Sequence, residues 1–140
     1  MPVYLGLDLG EKRVGVSRSD ETGTIAEAYT TLQFKSKEDL LRQIKGCIEK
    51  IQPDKIVVGL PHTLKGEVGA AAENVLRRVD WLKTKLEFDE WILWDERMTT
   101  AEAERVLLEA DVSRADRKNL RDRIAAQRIL QNYLDSKRND

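Results

Sequence analysis

The stretch Val3-Tyr4-Leu5-Gly6-Leu7-Asp8-Leu9-Gly10-Glu11-Lys12-Arg13-Val14-Gly15-Val16-Ser17 decides the fold. Its first half is an apolar run interrupted by Asp8 and closed by Gly10; from Arg13 to Ser19 the pattern alternates, with Val14 and Val16 set against Arg13, Gly15 and Ser17. Two strands joined by a tight turn fit this pattern. Asp20, Thr22 and Gly23 mark another turn, and Ile25 to Leu32 supplies a third strand, so the chain is expected to open as an antiparallel meander.

From Ser36 the period changes. Leu40, Ile44, Cys47, Ile48 and Ile51 fall on one helical face, Ser36 is placed to cap the helix and Pro53 lies just beyond its end. Lys55 to Gly59 reads as a buried parallel strand that stops at Gly59-Leu60-Pro61. Gly69 to Leu86 reads as a second helix, Glu90 to Trp94 as a fifth strand, Thr99 to Ala110 as a third helix and Lys118 to Ser136 as a last one. The order βββαβαβαα implies an α/β fold: a mixed five-stranded sheet, antiparallel in its three leading strands and parallel after them, with helices on both faces.

At 140 residues the chain has the size of one compact domain, 1–140, which excludes separate nucleotide and substrate lobes. A 41% hydrophobic share fills one core beneath a heavily charged surface. No apolar run approaches the roughly 20 residues needed to cross a bilayer, and Met1-Pro2-Val3-Tyr4 does not begin a basic, then hydrophobic, leader; a cytoplasmic location is expected. Cys47 is the single cysteine and His62 the single histidine, which excludes an internal disulfide and a multi-cysteine zinc site. The net charge of −1 hides an asymmetry, for residues 112–140 carry eight Lys/Arg against four Asp/Glu. That tail is a local basic surface.

Three acidic positions stand out. Asp8 shares a strand face with Tyr4 and Gly6 at the carboxyl end of an apolar strand, where a buried carboxylate needs a partner; Gly10 is read as room for a ligand near the backbone. Asp95 and Glu96 follow the apolar run Trp91 to Trp94, and alternation sends their side chains to opposite faces, so one of the two can share a pocket with Asp8. Asp122 lies at one end of a packing stripe formed by Ala125, Ala126, Ile129 and Tyr133. The two alanines allow a close approach to the sheet, which would bring Asp122 towards the strand ends; the plainer reading pairs it with Arg121 or Arg123 on its own helix.

Three carboxylates with no histidine or cysteine cluster suit hard divalent cations, Mg²⁺ or Mn²⁺, bound through oxygen. Two such ions activate a water and stabilise the leaving oxygen of a phosphodiester, the chemistry of a nuclease. Arg114, Arg117, Lys118, Arg121, Arg123 and Arg128 around Asp122 form a patch suited to phosphates. Lys12 and Arg13 beside Asp8, Lys65 in the loop after the fourth strand and Arg97 after the middle acids are further candidates for the substrate backbone, whereas His62 reads as an ordinary loop residue. Thr99-Thr100-Ala101-Glu102 is a capping box and is read as structural. Trp91, Trp94 and Cys47 are read as packing residues.

Gly6-Leu7-Asp8-Leu9-Gly10-Glu11-Lys12-Arg13-Val14-Gly15-Val16, Val58-Gly59-Leu60-Pro61, Asp95-Glu96-Arg97-Met98-Thr99-Thr100 and Asp122-Arg123-Ile124-Ala125-Ala126 with Ile129-Leu130-Gln131 together resemble the YqgF family, also called RuvX. The resemblance covers nearly the whole chain and rests on four motifs in order. It implies an RNase H-like fold and either maturation of the small-subunit ribosomal RNA precursor or resolution of Holliday junctions. It also implies that Asp8, Asp122 and one of Asp95 and Glu96 bind the catalytic metals. Thr63 stands where the family often has Asn, and Ser17 where it often has Ala. The expected partners are structured RNA or branched DNA, with the protein a monomer or a homodimer.

Two other readings compete. Asp8-Leu9-Gly10 is similar to the phosphate-contacting turn of actin-like ATPases and sugar kinases, but their nucleotide sits between two domains and this chain has one. A non-catalytic RNA-binding assembly factor would keep the basic helix and show no metal-dependent cleavage.

Overall fold

A computed structural model describes residues 2–61, 69–96 and 114–138. Its elements are β1 (Tyr4–Leu9), β2 (Arg13–Ser19), β3 (Ala26–Gln33), α1 (Lys37–Ile51), β4 (Lys55–Pro61), α2 (Ala70–Leu86), β5 (Trp91–Glu96) and α3 (Arg114–Arg138). The helix expected over Thr99 to Ala110 lies outside the described residues. The final helix starts four residues before the expected Lys118.

The five strands form one sheet in the order β3-β2-β1-β4-β5. β1 pairs antiparallel with β2, β2 antiparallel with β3, and β1–β4 and β4–β5 are parallel, which is the mixed sheet the alternation pattern implied. The parallel pairs require crossovers, and the crossover from β4 to β5 carries α2. Ser36 caps α1 as expected, its side chain accepting from the Asp39 amide, and the helix closes at Gln52 in the left-handed region, directly before Pro53.

Alternation divides the core into two layers. Leu5, Leu7 and Leu9 of β1 join Leu40, Ile44 and Cys47 of α1 and Val75, Val79 and Leu82 of α2 on one face. Tyr4 and Val57 meet Ile129, Leu130 and Leu134 of α3 on the other, with Ile92 and Trp94 of β5 packed against them. Trp91 belongs to the first layer, edge-on to Phe88, and Trp94 to the second, edge-on to Tyr133, so both are packing residues.

α3 packs across β2, β3 and β1, with its main chain against the sheet at Gly15. Gly15 permits this: a Cβ there would collide with the Asp122 backbone carbonyl, and one at Gly6 would collide with the Ser17 hydroxyl and crowd Leu130. Polar bonds then fix the helix. The buried Ser17 hydroxyl donates to the Ala126 carbonyl at 2.7 Å, which gives this serine a structural use. Gln131 accepts from the Ala26 amide at 2.8 Å and donates to the Thr24 carbonyl at 3.0 Å, while Gln127 donates to the Ala26 carbonyl at 3.1 Å. Two glutamines thus satisfy backbone groups at the start of strand β3, groups that no described strand pairs.

In the β2–β3 turn, one Asp20 oxygen accepts from the Thr24 and Ile25 amides and the other from the Thr22 hydroxyl. These bonds favour the carboxylate, and the Thr22 hydroxyl above all lowers the Asp20 pKa to about 2 from an ordinary 3.8. Because the folded value is the lower one, the turn's contribution to stability is complete above pH 3.8 and is lost as pH falls through about 2. An NMR titration is expected to place the Asp20 midpoint near 2, and an Asp20→Asn protein should lose this part of the acid dependence.

A second expectation concerns the helix seat. Gly15→Ala should cost about 3 kcal/mol or more in urea denaturation, because the added methyl meets helix backbone that cannot rotate away. A loss below about 1 kcal/mol would show that α3 sits farther from the sheet than described.

Candidate active site

The register of β1 and β2 places Asp8 directly opposite Gly15. Residues so opposed project to the same side of a sheet, and on that side the position a Gly15 Cβ would take is filled by the Asp122 carbonyl. Asp8 and Asp122 are therefore brought to one place by a strand register and a helix seat, although 114 positions separate them in the chain. Asp8 is partly buried.

Asp122 does not pair with Arg121 or Arg123. Its Oδ2 accepts from the Nε of Arg13 at 2.7 Å, with the side chains 16% and 25% exposed respectively. Arg13 opens β2, so this ion pair ties the first hairpin to the last helix. It also occupies the Arg13 guanidinium, expected from the sequence at a substrate backbone, with a carboxylate of the chain itself. The Nε of Arg123 is buried and is the one such side-chain nitrogen or oxygen without a hydrogen-bond partner among the described residues.

Gly10 has a local role. Its amide donates to the carbonyls of Asp8 and Arg13 at 3.1 and 3.0 Å, and the space beside its α-carbon is filled by the Arg13 carbonyl. The glycine closes the β1–β2 turn, and the space a side chain would take there is used by the Arg13 carbonyl rather than kept for a ligand. Lys12 is exposed on this turn.

The middle acids sit at the end of β5, level with the end of β4, where Leu60 pairs with Asp95 and Pro61 with Glu96. Ile92 and Trp94 pack on the α3 side, whereas Leu93 and Asp95 are exposed. Strand alternation therefore puts position 96, not 95, in phase with the α3 side. The Glu96 side chain lies outside the described residues, as do those of Arg114, Arg117 and Lys118 on the first turns of α3. Lys65, Arg97 and His62 are also outside them; Arg121, in contrast, is described and partly buried.

Among the described residues no cluster of three His, Cys, Asp or Glu side chains is placed to hold a metal ion. Asp8 and Asp122 would offer an all-oxygen set, the kind hard cations take, on the sheet face where the Asp122 main chain meets Gly15. Sequence reasoning singled out Asp8 and Asp122 as candidates and missed Arg13 as the partner of Asp122. No local signal could have supplied that partner across 109 positions.

The ion pair should be visible as coupling. In a double-mutant cycle of Arg13→Ala and Asp122→Ala, measured by urea denaturation of metal-free protein, an interaction free energy of about 1 kcal/mol or more is expected. Additive losses would mean that helix and hairpin are not joined through these side chains.

The chain matches the family model described as "RuvX: Holliday junction resolvase" over residues 2–136. It is 47% identical over 136 residues to a protein of Thermoanaerobacter pseudethanolicus named "Putative pre-16S rRNA nuclease", covering 96% of this chain and 97% of that one. A protein of the same name from Halothermothrix orenii is 44% identical over 130 residues, covering 93% and 92%. Among solved structures, T. thermophilus RuvC in complex with Holliday junction substrate superposes with a TM-score of 0.58 at 12% identity, covering 99% of this chain and 97% of that one. The Fowlpox virus resolvase in complex with substrate Holliday junction DNA gives 0.59 at 11%, covering 96% and 98%. At such identities the structural likeness establishes the fold, the RNase H-like sheet expected from the motifs. With motifs, family model and near-full-length relatives in agreement, the chain belongs to the RuvX family.

Proposed function

We propose that this protein is a divalent-metal-dependent nuclease that hydrolyses phosphodiester bonds in precursor 16S ribosomal RNA. The observation that carries the reading is the convergence of Asp8 and Asp122 on the α3 side of the sheet, held by the Asp8–Gly15 register and the Gly15 helix seat. The names of the relatives, nearly half identical over almost the whole chain, support precursor RNA over a DNA junction. The family description and the resolvase neighbours keep junction resolution as the second reading.

Asp8 and Asp122 are the proposed metal ligands. Of the middle acids, Glu96 is proposed over Asp95, because its position is in phase with the face that holds the other two. Mg²⁺ or Mn²⁺ bound by these oxygens supplies an activated water and stabilises the charge of the leaving oxygen. The residues of the chain do the rest. Arg13 holds the Asp122 carboxylate in one orientation, as partners of metal ligands do. Lys12, Arg121 and the other basic positions of α3, Arg114, Arg117 and Lys118, with Lys65 and Arg97 from the neighbouring segments, are proposed to hold the phosphate backbone. No described helix is long and apolar enough to cross a membrane.

The test incubates purified protein with precursor 16S ribosomal RNA fragments and with four-way DNA junctions, in Mg²⁺, in Mn²⁺ and in chelator. RNA cleavage is expected in either metal and none in chelator. Asp8→Asn and Asp122→Asn should each lower the rate by more than about 100-fold, the upper range for losing a mere partner of a ligand, while much of the RNA binding persists. Junction cleavage alone would transfer the activity to DNA, and RNA binding with no cleavage in either metal would leave an assembly factor.

A further inference from the structure

On the sheet face away from the two aspartates, α1 and α2 leave a cavity of about 240 Å³ between them. Its floor is apolar, made by buried Leu40 and Leu82 with Trp81 beside them. Lys37, Arg77 and Arg78 supply three cations at its wall, and none of the described residues that line it is acidic. The volume lies below the roughly 300 Å³ at which pockets for drug-sized ligands begin, so it suits a single planar group with its charge rather than a whole cofactor.

The cavity is wired to the site already described. The half-buried Arg78 donates from Nη1 to the Leu9 carbonyl at 3.3 Å, and its guanidinium lies 5.9 Å from the Phe34 ring centroid. Leu9 is the neighbour of Asp8 on β1, with its side chain on the opposite face. Burial lowers the Arg78 pKa, and the nearby Glu11 charge offsets only part of this. Lys37 places its ammonium 5.1 Å from the Trp81 ring centroid and, like Arg77, is exposed at the rim.

We propose that this cavity is a flanking subsite for single-stranded RNA, in which one base lies against Trp81 and the floor while phosphates on either side rest on Arg77 and Lys37. Aromatic side chains next to cations are what binds single strands without regard to sequence, since every base offers a π-face. An acidic peptide would use the cations and leave the apolar floor unexplained. The inference rests on the nucleic-acid substrate proposed above, and it adds a second point of attachment on the other face of the sheet.

The test uses the full chain in chelator with a fluorescein-labelled 12-nucleotide oligouridylate. Anisotropy titrations over a salt series compare wild type with the double variant Lys37→Ala, Arg77→Ala, whose thermal midpoint checks folding. Loss of two single-strand phosphate contacts should lower the salt slope of log K by roughly 1.4. In parallel, the Trp81 indole resonance, assigned with Trp81→Phe, should shift as RNA is added. An unchanged slope with an unmoved Trp81 signal would overturn the subsite, and so would an oligoglutamate peptide that shifts Trp81 as far as RNA does. Because no metal is present, the result is independent of cleavage. A wild type that binds through Trp81 but never cuts refutes the nuclease reading alone, and a metal-dependent nuclease whose double variant binds as wild type refutes the subsite alone.

Discussion

The contact between Gly15 and the backbone of α3 at Asp122 is the constraint on which the rest of the molecule depends. Two main chains can approach this closely only where no Cβ intervenes. From that approach follow the buried Ser17–Ala126 bond, the glutamine bonds to the start of β3 and the packing of Ile129, Leu130 and Leu134 on Tyr4 and Val57. The same approach sets the Asp122 main chain against the strand position that lies opposite Asp8. Stability and the proposed chemistry thus meet at one glycine.

The strands and helices were legible because their periods are clean. Alternation in β2, the apolar run in β1 and β4, and the spacing of Leu40, Ile44 and Cys47 each reflect burial on a known face. The two core layers follow from the same alternation, since Tyr4 and Leu5 must point apart. The small stripe Ala125-Ala126 pointed to a close helix, and both residues are fully buried. What the stripe could not show is where on the sheet the helix lands. A glycine in a strand announces an approach without naming what approaches, and so the seats at Gly6 and Gly15 became readable only with the register of β1 on β2.

The candidate site divides in the same manner. Asp8 was legible as an acid in an apolar strand and Asp122 as one at the end of a packing stripe, and the structure sets the Asp122 main chain against Gly15, opposite Asp8. The partner of Asp122 was not legible, because Arg13 meets it only after the sheet and the helix have assembled. The choice between Asp95 and Glu96 depends on strand phase, which the run Trp91 to Trp94 conceals by being apolar on both sides; the packing of Ile92 and Trp94 with α3 resolves that phase. Gly10 was read as open space for a ligand, whereas the Arg13 carbonyl closes it.

The central claim is that Asp8 and Asp122 hold a divalent cation between β1 and α3. Crystals grown in Mn²⁺ and measured at the manganese absorption edge test it most directly. An anomalous peak in contact with both carboxylates is predicted, and it should vanish in Asp122→Asn. Full occupancy of a manganese site elsewhere, with the Arg13–Asp122 ion pair intact and no peak at Asp8, would contradict the account.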